Sequence, residues 1–259
     1  MTEQILQTIE DNIAVITFNR PDVLNAFSFE MRERFACIVE ELAKDDDVRC
    51  IVITGNGRAF SAGGDIKGWG DLKDENKMKL LSQFVHRAVK GLIYMEKPVI
   101  AMVNGDAVGA GCNIALASDF IIASENARFG EVFVKIGLGP DWGGAYILPR
   151  LVGMAKAKEL LFTGQIISAA KACEMGLIYR VVEHDSLEDE VKKLAKRLAN
   201  SATKAIGKTK TFLNNVWQMN LDQAFEHEAK MQKELMQTID HQKAVKSFIN
   251  KEKPVFIGK

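Results

Sequence analysis

The sequence lacks several features that mark common protein classes. Its four cysteines are widely separated and form no CxxC pair, which excludes a dense disulfide framework and favours reduced thiols in the cytosol. Its four histidines form no close ligand-spaced pair, so we expect no metal site. No apolar stretch approaches the roughly 18 residues of a membrane span. The first residues carry no basic, apolar signal pattern, so neither a secretory nor a transit signal is expected.

The chain also lacks net charge, because 34 Lys and Arg residues balance 34 Asp and Glu residues. A neutral chain has no overall attraction for nucleic acid or for an anionic membrane surface, so we expect neither partner. The 259 residues are 47% hydrophobic and 26% charged, which is typical of a globular protein with one large core. These totals predict a cytoplasmic protein whose zero net charge favours self-association.

Strand and helix patterns alternate in the first half of the chain. A β-rich run at Ile13–Phe18 follows an alternating segment at Ile5–Ile9, and Asp11-Asn12 between them predicts a hairpin turn. Ser28 is expected to cap a helix whose apolar residues recur at helical spacing. Further strands are predicted at 50–54, 98–103 and 119–123, and helices at 76–95 and 109–117. This order predicts an α/β fold with largely parallel strands.

The second half of the chain has mostly helical patterns, and only Tyr179–Val182 resembles a strand there. Helices are predicted at 143–150, 154–162, 168–175, 186–200, 203–216 and 221–249. No linker, repeat or low-complexity segment separates the halves. We therefore divide the chain into a core over 1–200 and a helical extension over 201–259, which would either pack on the core or contact other subunits.

Three glycine-containing loops, at 60–66, 103–113 and 137–144, each follow an apolar stretch. Glycine lets a backbone approach a ligand closely, and a helix that starts after such a loop has free N–H groups. Two facing loops would form an oxyanion hole, although each loop alone is better explained as a turn. The spacing Gly105-xxx-Gly109-x-Gly111 differs from a dinucleotide fingerprint, and no P-loop lysine, GxSxG elbow or Cys/His pair is present.

Five motifs occur in order along the chain. They are Asn19-Arg20-Pro21 with Leu24-Asn25-Ala26, Phe-Ser-Ala-Gly-Gly-Asp-Ile at 60–66, Lys-Pro-Val-Ile-Ala-Met-Val-Asn-Gly at 97–105, Gly-Ala-Gly-Cys at 109–112, and Ala-Arg-Phe-Gly at 127–130. Together they resemble the crotonase (enoyl-CoA hydratase/isomerase) superfamily over nearly the whole chain. The resemblance implies a crotonase-like spiral of repeated ββα turns with a helical C-terminal trimerisation region, and therefore a homotrimer or hexamer.

The resemblance also implies an acyl-CoA thioester substrate and no separate cofactor, because coenzyme A is part of the substrate. The oxyanion-hole donors would be the N–H groups of Ala62 and Ala110. Phe248 and Lys251 resemble a C-terminal pair that meets coenzyme A, often from a neighbouring subunit. The other expected substrate contacts are Val23, Leu24, Ala26, Ser61, Gly63, Gly64, Asp65, Ile66, Trp69, Val108, Gly109, Asn113, Phe133, Pro140 and Trp142.

Hydratases of the superfamily carry two glutamates, and this sequence has neither at the matching positions. Asn113 stands at the first position, where it can form hydrogen bonds but cannot take a proton at neutral pH. Phe133 stands at the second position and can only pack. Asp141 stands where typical hydratases have glycine, which resembles the ring-epoxide phenylacetyl-CoA isomerase branch. The 4-chlorobenzoyl-CoA dehalogenases also have an aspartate here but need a tryptophan at the position of Phe133.

Asp141 is therefore the candidate catalytic acid and base. A simpler explanation is that it caps the helix that begins near residue 143. A helix N-terminus would lower its pKa and an apolar pocket would raise it, and the sequence leaves this balance open. We expect an enolate-stabilising isomerase, of double bonds or ring epoxides, in fatty acid metabolism or phenylacetate catabolism. Enoyl-CoA hydration and non-catalytic acyl-CoA binding are the alternatives, and Asp106 is a further carboxylate near the second loop.

Overall fold

The computed structural model describes residues 3–66 and 75–259, with side chains in the second range described from residue 83. The larger of its two sheets has six strands in the order β1-β2-β3-β5-β7-β10. These strands are β1 (Ile5–Glu10), β2 (Ile13–Phe18), β3 (Cys50–Gly55), β5 (Val99–Val103), β7 (Phe120–Ser124) and β10 (Arg180–Val182). Strand β1 pairs antiparallel with β2, and every later neighbour pairs parallel, as the sequence predicted.

The second sheet consists of four strands of three residues each, in the order β4-β6-β8-β9. They are β4 (Ala59–Ser61), β6 (Asp106–Val108), β8 (Arg128–Gly130) and β9 (Ile166–Ser168). Strands β4, β6 and β8 pair in parallel, and β9 pairs antiparallel with β8. Successive chain segments β3–β4, β5–β6 and β7–β8 therefore add one strand to each sheet, which gives the expected spiral of ββα turns.

Helices fill the space between and around the two sheets. They are α1 (Phe29–Lys44), α2 (Glu75–Tyr94), α3 (Ala110–Leu116), α4 (Gly144–Thr163), α5 (Ala169–Glu174), α6 (Leu187–Ala199), α7 (Thr203–Asn215), α8 (Leu221–Leu235) and α9 (Ile239–Ile249). Helix α4 is interrupted at Gly153, where φ is 77°. Within the described residues, no helix is both long and apolar enough to cross a membrane.

Local sequence signals fixed several element boundaries correctly. Asp11 and Asn12 both have positive φ, as a tight hairpin turn requires, and the Ser28 side chain caps α1 by accepting from the Met31 N–H at 3.1 Å. Two predictions in the second half were wrong. Strand β9 was not anticipated, and the long helix expected over 221–249 is two helices, with Thr238 capping α9.

The main core lies between the larger sheet and the pair α1 and α2, and it includes a cluster of aromatic rings. Phe18 packs edge-on against Phe27 and Phe35, with ring centroids 4.8 and 5.5 Å apart. Trp142 joins this cluster at 5.3 Å from Phe27 and is almost fully buried. Burial of each such side chain contributes about 1.5–3 kcal/mol, which anchors the start of α4 firmly in the core.

The C-terminal extension is bonded to the core by buried polar contacts. Lys210 on α7 forms an ion pair of 2.7 Å with Asp119, and Arg49 donates to the Thr203 hydroxyl at 2.8 Å. Arg49 also donates to the Phe256 carbonyl at 3.0 Å, and within the extension the Asp240 carboxylate accepts from the backbone N–H groups of residues 257 and 258 at 2.7 and 2.8 Å. The predicted boundary at residue 200 falls in the turn between α6 and α7.

Candidate active site

The loops that follow β4 and β6 lie against each other because these two strands are paired in parallel. Gly63 follows β4 with φ of 96°, and a Cβ atom there would lie 2.8 Å from the Val108 carbonyl oxygen and 3.4 Å from the Ala110 nitrogen. Both the positive φ and this close approach require glycine at position 63. The sequence prediction that these two glycine-containing loops face each other is therefore confirmed.

A pocket opens between the two loops and the segment that contains Asp141. It is lined by Ala62, Gly63, Gly64, Ile66, Gly109, Ala110, Val132, Phe133, Ile136, Leu138 and Asp141. Among these lining residues, Asp141 supplies the one ionisable side chain, and the other polar groups are backbone atoms. Val132, Ile136 and Leu138 were not predicted, because the sequence alone does not show that a 3-10 helix at Val132–Ile136 forms this wall.

The Ala110 N–H, at the N-terminus of α3, is available to a ligand. Ala110 is the first residue of the helix, and Gly109 before it supplies no side-chain cap. The first N–H groups of a helix have no carbonyl partner within the helix. No backbone carbonyl among the described residues accepts from Ala110, so its N–H remains the predicted candidate for an oxyanion-hole donor.

The second predicted donor needs correction. The Ala62 N–H already donates to the Leu24 carbonyl at 2.9 Å, so it does not point into the pocket. Gly64 forms a parallel bridge with Phe27, whose N–H and carbonyl bond to Gly63 and Asp65 on either side. The N–H of the bridged residue faces away from its partner strand in this pattern. The Gly64 N–H, which has no backbone acceptor among the described residues, therefore replaces that of Ala62.

Asp141 lines the pocket and is exposed to solvent there. Desolvation of its carboxylate raises the pKa to about 6, and this rise is partly offset by the Arg32 charge and by a hydrogen bond to its own backbone. Helix α4 has Gly143 as its N-cap and no side-chain cap, so the capping explanation for Asp141 is wrong. Desolvation is therefore the larger of the two opposing effects that the sequence left open, and the pKa of Asp141 lies above the usual range of an aspartate.

Arg32 is a site residue that the sequence analysis missed. It is almost fully buried on α1, where burial lowers its pKa and the charges of Asp141 and Asp65 raise it. A signal was present, because Arg32 shares a helix face with buried Phe35, three residues further along the chain. A buried arginine on an apolar helix face requires carboxylate partners.

We expect Arg32→Met to raise the pKa of Asp141 above its value of about 6, and with it the acid limb of the kcat/KM profile of any reaction in which Asp141 is the base. The Arg32 cation favours the ionised form of Asp141, so its removal lowers the ionised fraction of that carboxylate at pH 6. Arg32→Lys keeps a cation and serves as the matched control. An acid limb that stays in place in Arg32→Met, with folding verified by thermal unfolding, would contradict this role.

Asn113 lies behind the pocket wall and not in it. It is fully buried, and its Nδ2 atom donates to the Asp141 carbonyl at 2.9 Å and to Glu131 Oε2 at 3.3 Å. The expected direct contact between Asn113 and substrate is therefore not present. Glu131 was missed by the sequence analysis, although a lone acidic residue in the apolar stretch 129–136 is a recognisable signal. Burial raises the Glu131 pKa to about 7.

Three further predicted residues lie away from the pocket lining. Trp142 points into the aromatic core, so its predicted substrate contact is wrong, and Pro140 is not part of the lining. Asp106 forms a bidentate ion pair with Arg128 at 2.8 and 2.6 Å, which gives it a partner outside the site. All three residues had been considered from sequence position alone, which does not determine the direction of a side chain.

The segment expected to hold coenzyme A runs alongside the first glycine-containing loop. Arg20 forms an ion pair with Asp65 at 3.0 Å and also donates to the Ala26 carbonyl, which joins the segment to the loop. The Ser61 hydroxyl donates to the Asn25 carbonyl at 2.9 Å and so supports the loop from behind. The predicted contact residues of this region that are not among the lining residues are Val23, Leu24, Ala26, Ser61, Asp65 and Val108.

The predicted C-terminal contacts, Phe248 and Lys251, do not line the pocket of this single chain. Phe248 is 84% exposed near the end of α9, and Lys251 is exposed just after it. Trp69, another predicted contact, lies outside the described residues. The contact of this C-terminal pair with coenzyme A, often from a neighbouring subunit in the family, stays a prediction.

One known protein family matches nearly the whole chain. The family model described as enoyl-CoA hydratase/isomerase matches residues 8–259. The chain belongs to the enoyl-CoA hydratase/isomerase family. The sequence resemblance to the crotonase superfamily is thus confirmed, and the protein is an enzyme of this family.

Relatives in the family include both isomerases and hydratases. The 1,2-epoxyphenylacetyl-CoA isomerase of Escherichia coli is 36% identical over 264 residues, covering 100% of both chains. The short-chain-enoyl-CoA hydratase of Clostridium acetobutylicum is 38% identical over 247 residues, covering 94% of each. The crystal structure of an enoyl-CoA hydratase from Bacillus anthracis superposes with a TM-score of 0.93 at 29% identity, covering 99% of this chain and 100% of that one.

Proposed function

We propose that this enzyme isomerises an acyl-CoA thioester, moving a proton along an allylic unit or opening a ring epoxide, with Asp141 as acid and base. One observation carries the proposal. Among the described residues that line the pocket, Asp141 has the single ionisable side chain. The positions of the two hydratase glutamates are occupied by buried Asn113 and by apolar Phe133.

The proposed reaction uses two backbone donors and one carboxylate. The N–H groups of Gly64 and Ala110 bind the thioester carbonyl oxygen and stabilise the negative charge that develops there. Asp141 takes a proton from the α- or γ-carbon, which leaves an enolate, and then returns it to the other end of the allylic unit. A pKa of about 6 suits this exchange, because the same group must accept and release a proton near neutral pH.

Hydration of a 2-enoyl-CoA is the second candidate function. The identity to the Clostridium acetobutylicum hydratase favours it, since 38% identity over 247 residues is similar to that of the isomerase relative. Hydration requires one group to activate water and another to protonate the α-carbon. The pocket offers only Asp141 for both tasks among its lining residues, which favours isomerisation.

Product analysis in deuterated water distinguishes the candidate functions. The enzyme is incubated with a 2-enoyl-CoA, a 3-enoyl-CoA and a phenylacetyl-CoA ring epoxide, and products are identified by mass spectrometry. The proposal expects deuterium in the substrate or product together with a rearranged isomer from at least one of them. A 3-hydroxyacyl-CoA as the main product would overturn it in favour of hydration, and binding without exchange would indicate a non-catalytic protein.

Self-association through the C-terminal extension is part of the same proposal. Large apolar side chains remain exposed on helices α7 to α9 and in the turns that join them, which supports an interface between subunits. They are Leu213, Trp217, Leu221, Phe225, Met236, Phe248 and Ile249. The trimer or hexamer, the cytoplasmic location and the absence of nucleic acid, membrane and cofactor partners stay predictions.

A further inference from the structure

A buried carboxyl group lies behind the pocket without contributing to the reaction described above. Glu131, which follows β8, is 2% exposed. Its Oε2 atom accepts from Asn113 Nδ2 at 3.3 Å. Its Oε1 atom has no hydrogen-bond partner among the described residues. Burying a carboxyl group this deeply costs free energy unless the group is hydrogen-bonded or paired.

Asn113 connects this carboxyl group to the Asp141 backbone. The Nδ2 atom has one hydrogen towards Glu131 and one towards the Asp141 carbonyl, at 3.3 and 2.9 Å. Gly144 leaves room for the amide, because a Cβ atom at that position would lie 2.5 Å from both Asn113 Nδ2 and Oδ1. The two hydrogen bonds of Nδ2 are the contacts that orient the amide, since Oδ1 has no hydrogen-bond partner among the described residues.

The Asp141 carbonyl that Asn113 binds belongs to a strained peptide. The next residue, Trp142, has φ of 49°, a left-handed conformation that is unusual for a bulky side chain. This conformation sends the Trp142 ring into the core and leaves the preceding carboxylate at the pocket. A strained backbone persists only where surrounding contacts hold it, and strain of this kind clusters at functional sites.

We propose that Glu131 is a positioning residue that orients the Asn113 amide, so that Asn113 holds the Asp141–Trp142 peptide in the conformation that presents the Asp141 carboxylate to substrate. The inference rests on the proposed function, in which Asp141 moves the proton. Asn113 stands where hydratases of the family carry a glutamate. In this chain its amide instead positions the backbone of another residue, Asp141.

Burial has the largest effect on the charge of Glu131, and apolar Phe129, Leu148, Leu160, Ile167 and Leu177 lie around the same small cavity. The ionisable groups that act on Glu131 are the Cys112 thiol, whose own pKa is raised by burial, and the Asp141 carboxylate, whose charge raises the Glu131 pKa. Arg32 acts on Asp141 from α1.

Three variants of the full chain test the proposal on whichever acyl-CoA it turns over. Glu131→Gln keeps the shape and an acceptor oxygen, Glu131→Met removes the acceptor, and Asn113→Leu removes the link. We expect Glu131→Met and Asn113→Leu to lower kcat by about 10- to 100-fold with KM little changed, since a small misplacement of a reacting group has effects of this size. The double variant Asn113→Leu/Glu131→Met is expected to be no slower than Asn113→Leu alone, because both changes break the same chain of contacts.

The split between kcat and KM, together with rescue by the conservative variant, separates positioning from simple packing. Glu131→Gln keeps an acceptor oxygen for the Asn113 amide, so its kcat should lie much closer to wild type than that of Glu131→Met. A packing role alone would lower the melting temperature of Glu131→Met and leave its kcat at the wild-type value below that temperature, and that result overturns the proposal. Should Glu131→Met not fold, kcat and KM of Asn113→Leu decide in the same way.

The two proposals fail in different ways. Loss of activity in Asp141→Asn together with Glu131 and Asn113 variants that match wild type in kcat and KM would remove only the positioning role. Full activity in Asp141→Asn would remove the proposed function, and the positioning role with it.

Discussion

Asp141→Asn is expected to lower kcat for isomerisation by about 10²–10⁴-fold, the usual contribution of a positioned acid or base. The asparagine keeps the size of the side chain but cannot take a proton from the α- or γ-carbon. Affinity for an unreactive acyl-CoA should change little, because the donors at Gly64 and Ala110 belong to the backbone of other loops. Steady-state kinetics together with calorimetric binding of that unreactive thioester measure both effects.

Asp106→Asn is the matched control for this substitution. It makes the same chemical change on β6, where the carboxylate is paired with Arg128 and not with substrate. Its turnover should remain near wild type, because an exposed ion pair contributes only about 0–1 kcal/mol to stability. Unchanged turnover in Asp141→Asn on every active acyl-CoA, or a large loss in Asp106→Asn, would remove Asp141 from its assigned role.

Ala110→Pro is expected to reduce kcat/KM by about 10²–10³-fold, the effect of losing one oxyanion-hole donor. Proline has no backbone N–H, so the substitution removes the donor directly. Position 110 is the first residue of α3, where proline fits the helix and removes no intrahelical hydrogen bond. Few other backbone donors can be removed with so little expected damage to the fold.

Ala110→Gly is the control, since it changes the side chain and keeps the N–H. Its rate should stay close to wild type, and both variants should melt near the wild-type temperature. Deuterium exchange into the substrate gives a second readout, because a weaker enolate site slows proton removal itself. If Ala110→Pro folds and exchanges deuterium at the wild-type rate, the Ala110 N–H does not bind the thioester oxygen.

Elements with strong local signals were predictable from sequence. The turn at Asp11-Asn12 and the cap at Ser28 depend on residues within a few positions of each other, and both are present. The four strands of the second sheet were largely missed because three residues are too short to show a period. Strand β4, for example, gains its structure from pairing with β6, which is far away in the chain.

The site residues likewise divide into those that the sequence predicted and those that it did not. The ordered motifs identified the correct loops. Asp141 was identified because it departs from the hydratase pattern, which has glycine at that position. The choice between Ala62 and Gly64 as donor could not be made, because N–H direction follows from the hydrogen bonds to Leu24 and Phe27. A motif specifies which residues are near a ligand but not where each amide points.

The sequence by itself determined the family, the two glycine-containing loops and the absence of the usual glutamate pair, because these are properties of residue identity and order. Only the tertiary structure showed which other residues act on the Asp141 carboxylate and its backbone. Arg32 and Glu131 are distant from Asp141 in the chain, and their effect on its pKa and position depends on burial and on contacts across the fold. Electrostatic effects depend on distance and desolvation, and both are set by packing of the whole chain.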